Sequence, residues 1–278
     1  MDVPPTPGGR RELMNRRRLL WLAGAGGLGA AAATVAEPLM SAKQSAVQAD
    51  VSGASSTSTN APPAVPLDVP PAPASEVPPV SAGPSGVLLC RESWGAKPEL
   101  PGGVAHSISR MTIHHTGAVL GDNKNAPGRL RQHQRLHQGE RGWIDIAYHV
   151  GVDRNGNIYE LRRPEIVGDT ATEYNPTGHF LVLCEGDFDQ EVVTEAQLDS
   201  AALAFAWAAQ TYKISDDVVR GHRDFASTAC PGADLYARVQ SGDLQGRIEK
   251  NIAAGTVDLR SVCGPEAKDA VAKIEAGL

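Results

Sequence analysis

Short hydrophobic runs bounded by turn residues predict β-strands in the part of the chain that follows the first 86 residues. The run 110–116 is apolar and ends in polar side chains, which is typical of a buried strand that delivers residues to a site. The segments 144–152 and 158–161 flank an Asn-Gly turn at Asn155, and this spacing predicts a β-hairpin. The run 179–184 predicts a further buried strand.

Helical periodicity alternates with these strands. Thr194 and the glutamine three residues later have the spacing of a capping box, and apolar residues then recur at helical intervals through 212. The segment 130–139 has a similar pattern. Because strands and helices are interspersed, we expect an α/β fold, a mixed central sheet flanked by helices, in a single domain over 87–260. The segment 261–278 is expected to form a helical tail, which either packs on this domain or stands apart from it.

The N-terminal 86 residues differ in composition from the rest of the chain. Three arginines at 16–18 precede a weakly apolar, Gly/Ala-rich stretch, so residues 1–36 resemble a twin-arginine (Tat) export signal with a cleavage site after Ala36. An uncleaved membrane anchor is the alternative. Residues 37–86 are rich in Pro, Ala and Ser, which predicts a disordered linker. We therefore expect an exported protein in the periplasm, cell wall or extracellular space, with membrane contact only through an uncleaved signal.

Charge and cysteine content narrow the class of protein. The formal net charge is −6, and beyond the N-terminus the sequence shows no Lys/Arg stripe with interleaved aromatics, which argues against a nucleic-acid partner. Four cysteines are too few for a disulfide scaffold in a chain of 278 residues. In an oxidising compartment Cys90 and Cys263 are candidates for one disulfide, with unpaired thiols as the alternative. Cys184 fits an inert core position.

The stretch 221–232 combines two types of metal ligand. An imidazole at His222 and a thiol at Cys230 lie a short loop apart. A catalytic zinc ion takes three protein ligands and keeps a fourth position open, so a third ligand is needed. We expect it at the polar end of the strand 110–116, because α/β folds tend to place ligands at strand ends.

Five motifs, taken in order, resemble one family. They are residues 91–96, 113–116, 143–149, 186–188 and 221–232. Together they resemble the zinc-dependent N-acetylmuramoyl-L-alanine amidases, a family shared with peptidoglycan recognition proteins and phage lysozyme-type amidases. The resemblance covers 87–239. It implies hydrolysis of the amide bond between N-acetylmuramic acid and L-alanine, with Zn²⁺ as cofactor and peptidoglycan or muropeptides as partners. We also expect the protein to be a monomer.

The resemblance implies a role for each residue of the site. His114, His222 and Cys230 match the three zinc ligands of the family. Tyr148 matches a catalytic tyrosine whose hydroxyl donates to the oxyanion that forms at the amide carbonyl. Thr228 lies where the family has lysine or threonine, and it either orients the carbonyl or water or acts as a local cap. The motifs do not identify the general acid that protonates the leaving nitrogen.

The match is weaker in the substrate groove. Trp94, His137, Asn175 and His179 are candidates for substrate binding. Family members commonly have a histidine where this chain has Thr170, so contacts to the stem peptide are in doubt. His179 is a candidate to replace that imidazole from a neighbouring position.

Two other classes of protein fit parts of this pattern. A recognition module that binds peptidoglycan without cleaving it would resemble this fold, but such modules lack the cysteine ligand and often have serine there. A structural zinc domain would need four protein ligands, and the sequence offers three well-placed donors. The sequence therefore favours a catalytic domain with a zinc cleft.

Overall fold

The computed structural model describes residues 82–215 and 219–278. The predicted export signal lies outside the described residues, as does the predicted linker up to residue 81. Among the described residues, none of the helices combines the length and the apolar character that a bilayer span requires.

A mixed seven-stranded sheet forms the centre of the described domain. Its strands are β1 Ala82–Leu89, β2 Arg110–His115, β3 Val150–Val152, β4 Ile158–Glu160, β5 His179–Cys184, β6 Val219–Gly221 and β7 Thr256–Val262. Their order in the sheet is β6-β2-β5-β3-β4-β1-β7. Only β3 and β4 pair antiparallel within it; the other neighbours are parallel. The predicted fold class, a mixed sheet flanked by helices, is confirmed.

Within the described residues, five α-helices cover the two faces of the sheet. They are α1 Ala126–Arg135, α2 Glu195–Tyr212, α3 Ala233–Gln240, α4 Asp243–Ala253 and α5 Gly264–Ala276. The larger core cluster joins α2 and α4 to one face, and the smaller one joins α1 and α5 to the other. Burial of these apolar faces supplies the main driving force for the α/β/α arrangement.

The sequence pattern of α2 explains its length and position. The Thr194 hydroxyl accepts a hydrogen bond from the backbone N–H of Gln197, and the Gln197 side-chain oxygen accepts one from the backbone N–H of Thr194, so the predicted capping box is present. Leu198 and Phe205 then lie on the buried face. This helix anchors the sheet from the side opposite the cleft described below.

The predicted hairpin is present, but its first strand is shorter than expected. β3 begins at Val150, whereas the alternation starts at 144. The carbonyls of Asp145 and Ile146 are instead bound by the guanidinium of Arg162, both at 2.9 Å. Arg162 is buried, so this arrangement satisfies the backbone of an irregular segment inside the domain.

Both ends of the domain differ from the expected boundaries. β1 begins at Ala82, inside the expected linker, and lies between β4 and β7. The segment 261–278 does not stand apart: it starts within β7, and α5 buries Ala267 and Val271 in the smaller core cluster. Among the described residues, both 82–86 and 261–278 are therefore part of the domain.

A disulfide joins Cys90 to Cys263 at the junctions of β1 and β7 with the segments that follow them. Because it closes a loop with a sequence separation of 173, it restricts the unfolded chain strongly. We expect the double variant Cys90→Ser/Cys263→Ser to lose about 2–4 kcal/mol of unfolding free energy in urea titrations. Wild-type protein unfolded with reductant should show the same loss. Equal stability of oxidised wild type and variant would contradict this role.

Candidate metal centre

The ends of two neighbouring parallel strands bring the predicted ligands together. His114 is the fifth residue of β2, and His222 follows β6 directly in a short turn, His222–Asp224. Cys230 comes from the loop that precedes α3. The donor atoms of these three side chains all lie within 4.8 Å of one another.

The donor geometry fits zinc. Nδ1 of His114 lies 3.6 Å from Sγ of Cys230. Zinc–sulfur and zinc–nitrogen distances of about 2.3 and 2.0 Å in a tetrahedral site place two such donors about 3.6 Å apart. Two imidazoles and one thiol also form a donor set that suits zinc, whereas cations such as Mg²⁺ and Ca²⁺ are bound by oxygen ligands. These three side chains could therefore hold a zinc ion between them.

Burial sets the protonation states that this site needs. Desolvation lowers the pKa of His114 well below its usual value, with the neighbouring His222 adding to the effect. Desolvation also lowers the pKa of His222 to about 4, so both imidazoles are neutral at pH 7 and able to bind a metal. Burial raises the pKa of the Cys230 thiol to about 12. A thiolate at that position therefore requires a cation beside it.

The loop that carries Cys230 is fixed by short-range hydrogen bonds. The Cys230 carbonyl accepts from the backbone of Arg223 at 3.0 Å, and Asp224 accepts from the backbone of Gly221 at 2.8 Å. The backbone N–H of His115 donates to Sγ at 3.4 Å. The thiol is thus held in place by the turn that also carries His222.

Thr228 has the contact expected of a local cap. Its hydroxyl accepts from the backbone N–H of Cys230 at 3.2 Å. The residue also lines the cleft above the three ligands. Its contribution to the reaction stays a prediction.

Tyr148 lies beside the ligand cluster. Its ring centre is 5.0 Å from that of His114, and it lines the same cleft. Burial raises the pKa of its phenol well above the usual value, with Cys230 adding to the effect. The hydroxyl is therefore a proton-bearing donor across the neutral pH range. Its position follows from the Arg162 contacts that hold the irregular segment before β3.

The cleft beyond the ligands has a volume of about 270 Å³. His137 forms part of its wall: its ring centre is 4.7 Å from that of Trp143, and its Nδ1 accepts from the backbone of Ala147 at 3.1 Å. Its role in substrate binding stays a prediction. Arg141 adds a cation to the same wall. This side of the cleft is thus aromatic and basic.

Trp94 is not a groove residue, and its assignment to substrate binding is wrong. It is 0% exposed, and its indole N–H donates to the carbonyl of Glu160 at 2.8 Å. It packs in the smaller core cluster, between β4 and the helices on that face. A fully buried side chain of this kind stabilises the domain and has no surface to offer a substrate.

His179 and Asn175 also fall outside the cleft lining. His179 is buried at the start of β5, where its Nδ1 is 2.8 Å from the hydroxyl of Thr112. It therefore does not replace a groove imidazole, contrary to the prediction. Asn175 is exposed, and its side chain accepts from the backbone of Thr177 at 3.0 Å, so it shapes a loop.

Thr172 and Tyr174 contact His222 but belong to none of the sequence motifs. The hydroxyl of Thr172 lies 2.8 Å from Nε2 of His222, and the ring centre of Tyr174 is 4.9 Å from that of His222. Thr172 is 50 positions from the ligand in sequence, so spacing gives no indication of the contact.

Comparison with known proteins agrees with this architecture. Residues 105–233 match the family model of N-acetylmuramoyl-L-alanine amidase. Peptidoglycan-recognition protein LB of Drosophila melanogaster is 34% identical over 160 residues, which are 55% of this chain and 68% of the relative. Peptidoglycan recognition protein 1 of Mus musculus is 32% identical over 54% of this chain and 85% of the relative.

A solved structure of peptidoglycan recognition protein-LE in complex with tracheal cytotoxin, a monomeric diaminopimelic acid-type peptidoglycan, is similar with a TM-score of 0.52. It is 28% identical and covers 59% of this chain and 98% of that one. The chain therefore belongs to the family of N-acetylmuramoyl-L-alanine amidases and peptidoglycan recognition proteins, whose members bind peptidoglycan.

Proposed function

We propose that this protein is a zinc-dependent amidase that cleaves the bond between N-acetylmuramic acid and L-alanine of peptidoglycan. The observation that carries the proposal is the thiol of Cys230 within ligand distance of His114 and beside His222, at the base of an open cleft. Peptidoglycan binding alone needs no open metal position, whereas amide hydrolysis uses one.

His114, His222 and Cys230 would hold the zinc ion. A bound zinc ion acts as a Lewis acid and makes water nucleophilic near neutral pH. Tyr148 lines the same cleft, with its ring centre 5.0 Å from that of His114. Its protonated hydroxyl would donate a hydrogen bond to the carbonyl oxygen as negative charge develops there. Because this donor is already positioned by packing, little reorganisation accompanies the reaction.

The cleft wall suits a muropeptide. Muropeptides carry sugar rings and several carboxylates, and the wall offers the rings of His137 and Trp143 together with the guanidinium of Arg141. The complex of peptidoglycan recognition protein-LE with tracheal cytotoxin supports a muropeptide as the ligand of this fold. We propose that the same class of ligand occupies this cleft.

We further propose that the enzyme acts outside the cytoplasm. The Cys90–Cys263 disulfide supports this, because disulfides persist in oxidising compartments and are rare in the cytosol. The arginines at 16–18, followed by a Gly/Ala-rich stretch, support export by a twin-arginine signal.

Metal restoration tests the proposed function. Protein stripped of metal with a chelator should not cleave muropeptides. The cleavage rate should then rise in proportion to the Zn²⁺ added until about one equivalent per chain is present, because the cluster offers one three-ligand site. Mg²⁺, which prefers oxygen ligands, should not restore it. Full cleavage by protein with only trace zinc would overturn the proposal, and zinc binding without cleavage would indicate a recognition module.

A further inference from the structure

A chain of two threonine hydroxyls contacts Nε2 of His222. Oγ1 of Thr172 lies 2.8 Å from Nε2 of His222. Oγ1 of Thr170 lies 2.8 Å from Oγ1 of Thr172 and accepts the backbone N–H of Thr172 at 3.1 Å. Both threonines are half-buried and line the same cleft as Cys230.

The contacts permit donation in either direction along this chain of hydroxyls, and a metal bound at Nδ1 of His222 would require the direction in which Nε2 donates. A neutral imidazole carries one N–H donor and one acceptor nitrogen. If Nε2 of His222 donates to Thr172, the Thr172 hydroxyl is free to donate to Thr170, whose oxygen already accepts a backbone N–H. That assignment leaves the lone pair of His222 Nδ1 available, and Nδ1 has no hydrogen-bond partner among the described residues.

We propose that Thr172 is a positioning residue for the metal site: it fixes His222 in the Nε2–H tautomer and orients Nδ1 toward the metal. The hydrogen bond made by one ring nitrogen decides which nitrogen is free to bind a metal. Thr170 supports Thr172 through its hydroxyl. This inference rests on the proposed zinc function, since it assigns a role to a residue that contacts a zinc ligand.

Ring packing restricts the same imidazole. The ring centre of Tyr174 lies 4.9 Å from that of His222 on one side, and the ring centre of His114 lies 4.7 Å away on another. The ring is therefore confined in position, and the Thr172 hydroxyl selects its tautomer. Thr172 and Tyr174 thus contact His222 in different ways, one by a hydrogen bond and one by ring packing. Single substitutions can separate the two effects.

Zinc affinity of the whole protein tests the inference independently of catalysis. Competition with a chromophoric chelator should show that Thr172→Val binds Zn²⁺ about 10–100-fold more weakly than wild type, because the valine cannot accept from Nε2. Thr172→Ser keeps the hydroxyl and should bind within about threefold of wild type. Thr170→Val should give a smaller loss. Thr177→Val is the matched control, an exposed threonine of the same loop, and should bind like wild type.

Two further measurements separate tautomer control from a loss of structure. Urea titration of the zinc-free proteins should give similar midpoints for Thr172→Val and Thr172→Ser. Substitution with Co²⁺ should show an altered ligand-field spectrum for Thr172→Val and a wild-type spectrum for Thr172→Ser. Wild-type zinc affinity in Thr172→Val, or equal losses in Val and Ser variants, would overturn the inference. A wild-type protein that binds no zinc would overturn both this inference and the proposed function.

Discussion

Replacing Cys230 with serine should abolish zinc binding and lower muropeptide cleavage by about 10³-fold or more. The serine hydroxyl is a poor zinc ligand, and the loss of the metal removes several kcal/mol of charge stabilisation in the transition state. The two histidines alone provide too few ligands for a catalytic zinc site. Metal content by mass spectrometry and cleavage rates, measured on the same preparation, check both effects.

Cys184→Ala is the matched control for this change. Cys184 is the other free cysteine of the described residues, and it is buried in the larger core cluster away from the ligands. The control should keep one zinc ion and its activity, at a small cost in stability from the lost sulfur contact. A Cys230→Ser protein that retains zinc and cleavage would contradict the assignment of the third ligand.

Replacing Tyr148 with phenylalanine should lower kcat by about 10²–10³-fold while zinc content stays unchanged. The change removes only the hydroxyl that donates to the developing oxyanion, and loss of one such donor has an effect of this size. The ring contact with His114, at 5.0 Å between centres, is preserved. Binding of the uncleaved muropeptide should therefore change little, which places the effect in kcat and not in affinity.

Tyr212→Phe is the matched control for the tyrosine substitution. Tyr212 ends α2 on the opposite face of the sheet and packs against the larger core cluster. Removal of the Tyr212 hydroxyl should leave kcat unchanged. If Tyr148→Phe retained the wild-type kcat, another group would have to stabilise the oxyanion.

The candidate ligands His114, His222 and Cys230 are predicted from the family resemblance, and the strand pattern and the topology agree with that assignment. An apolar run that ends in polar residues predicts β2, and parallel strands that neighbour one another end at the same edge of the sheet. His114 and His222 therefore meet once both strands are recognised. Cys230 follows from its short spacing to His222.

The first strand could not be predicted, because its stability depends on distant parts of the chain. Its Gly and Pro residues continue the composition of the preceding segment, which favours a linker. In the fold, β1 lies between β4 and β7, and a Cβ at Gly86 would lie 2.5 Å from Cδ2 of Leu203. The glycine therefore allows a close approach of α2 that no local pattern records.

The groove was the least predictable part of the site. Trp94 belongs to a family motif, but a motif does not distinguish an aromatic residue of the core from one that lines a cleft. Thr172 and Arg162 act through contacts with backbone or side chains far away in sequence, at separations of 50 and 17 positions. Such contacts depend on the completed fold.

Mass spectrometry of a defined muropeptide, incubated with the zinc-loaded full chain, tests the central claim most directly. The account predicts two products, a disaccharide with a free lactyl carboxylate and a stem peptide with a new N-terminal alanine. The same products should be absent for Cys230→Ser. Recovery of the intact muropeptide after incubation with protein that holds one zinc ion per chain would contradict the account.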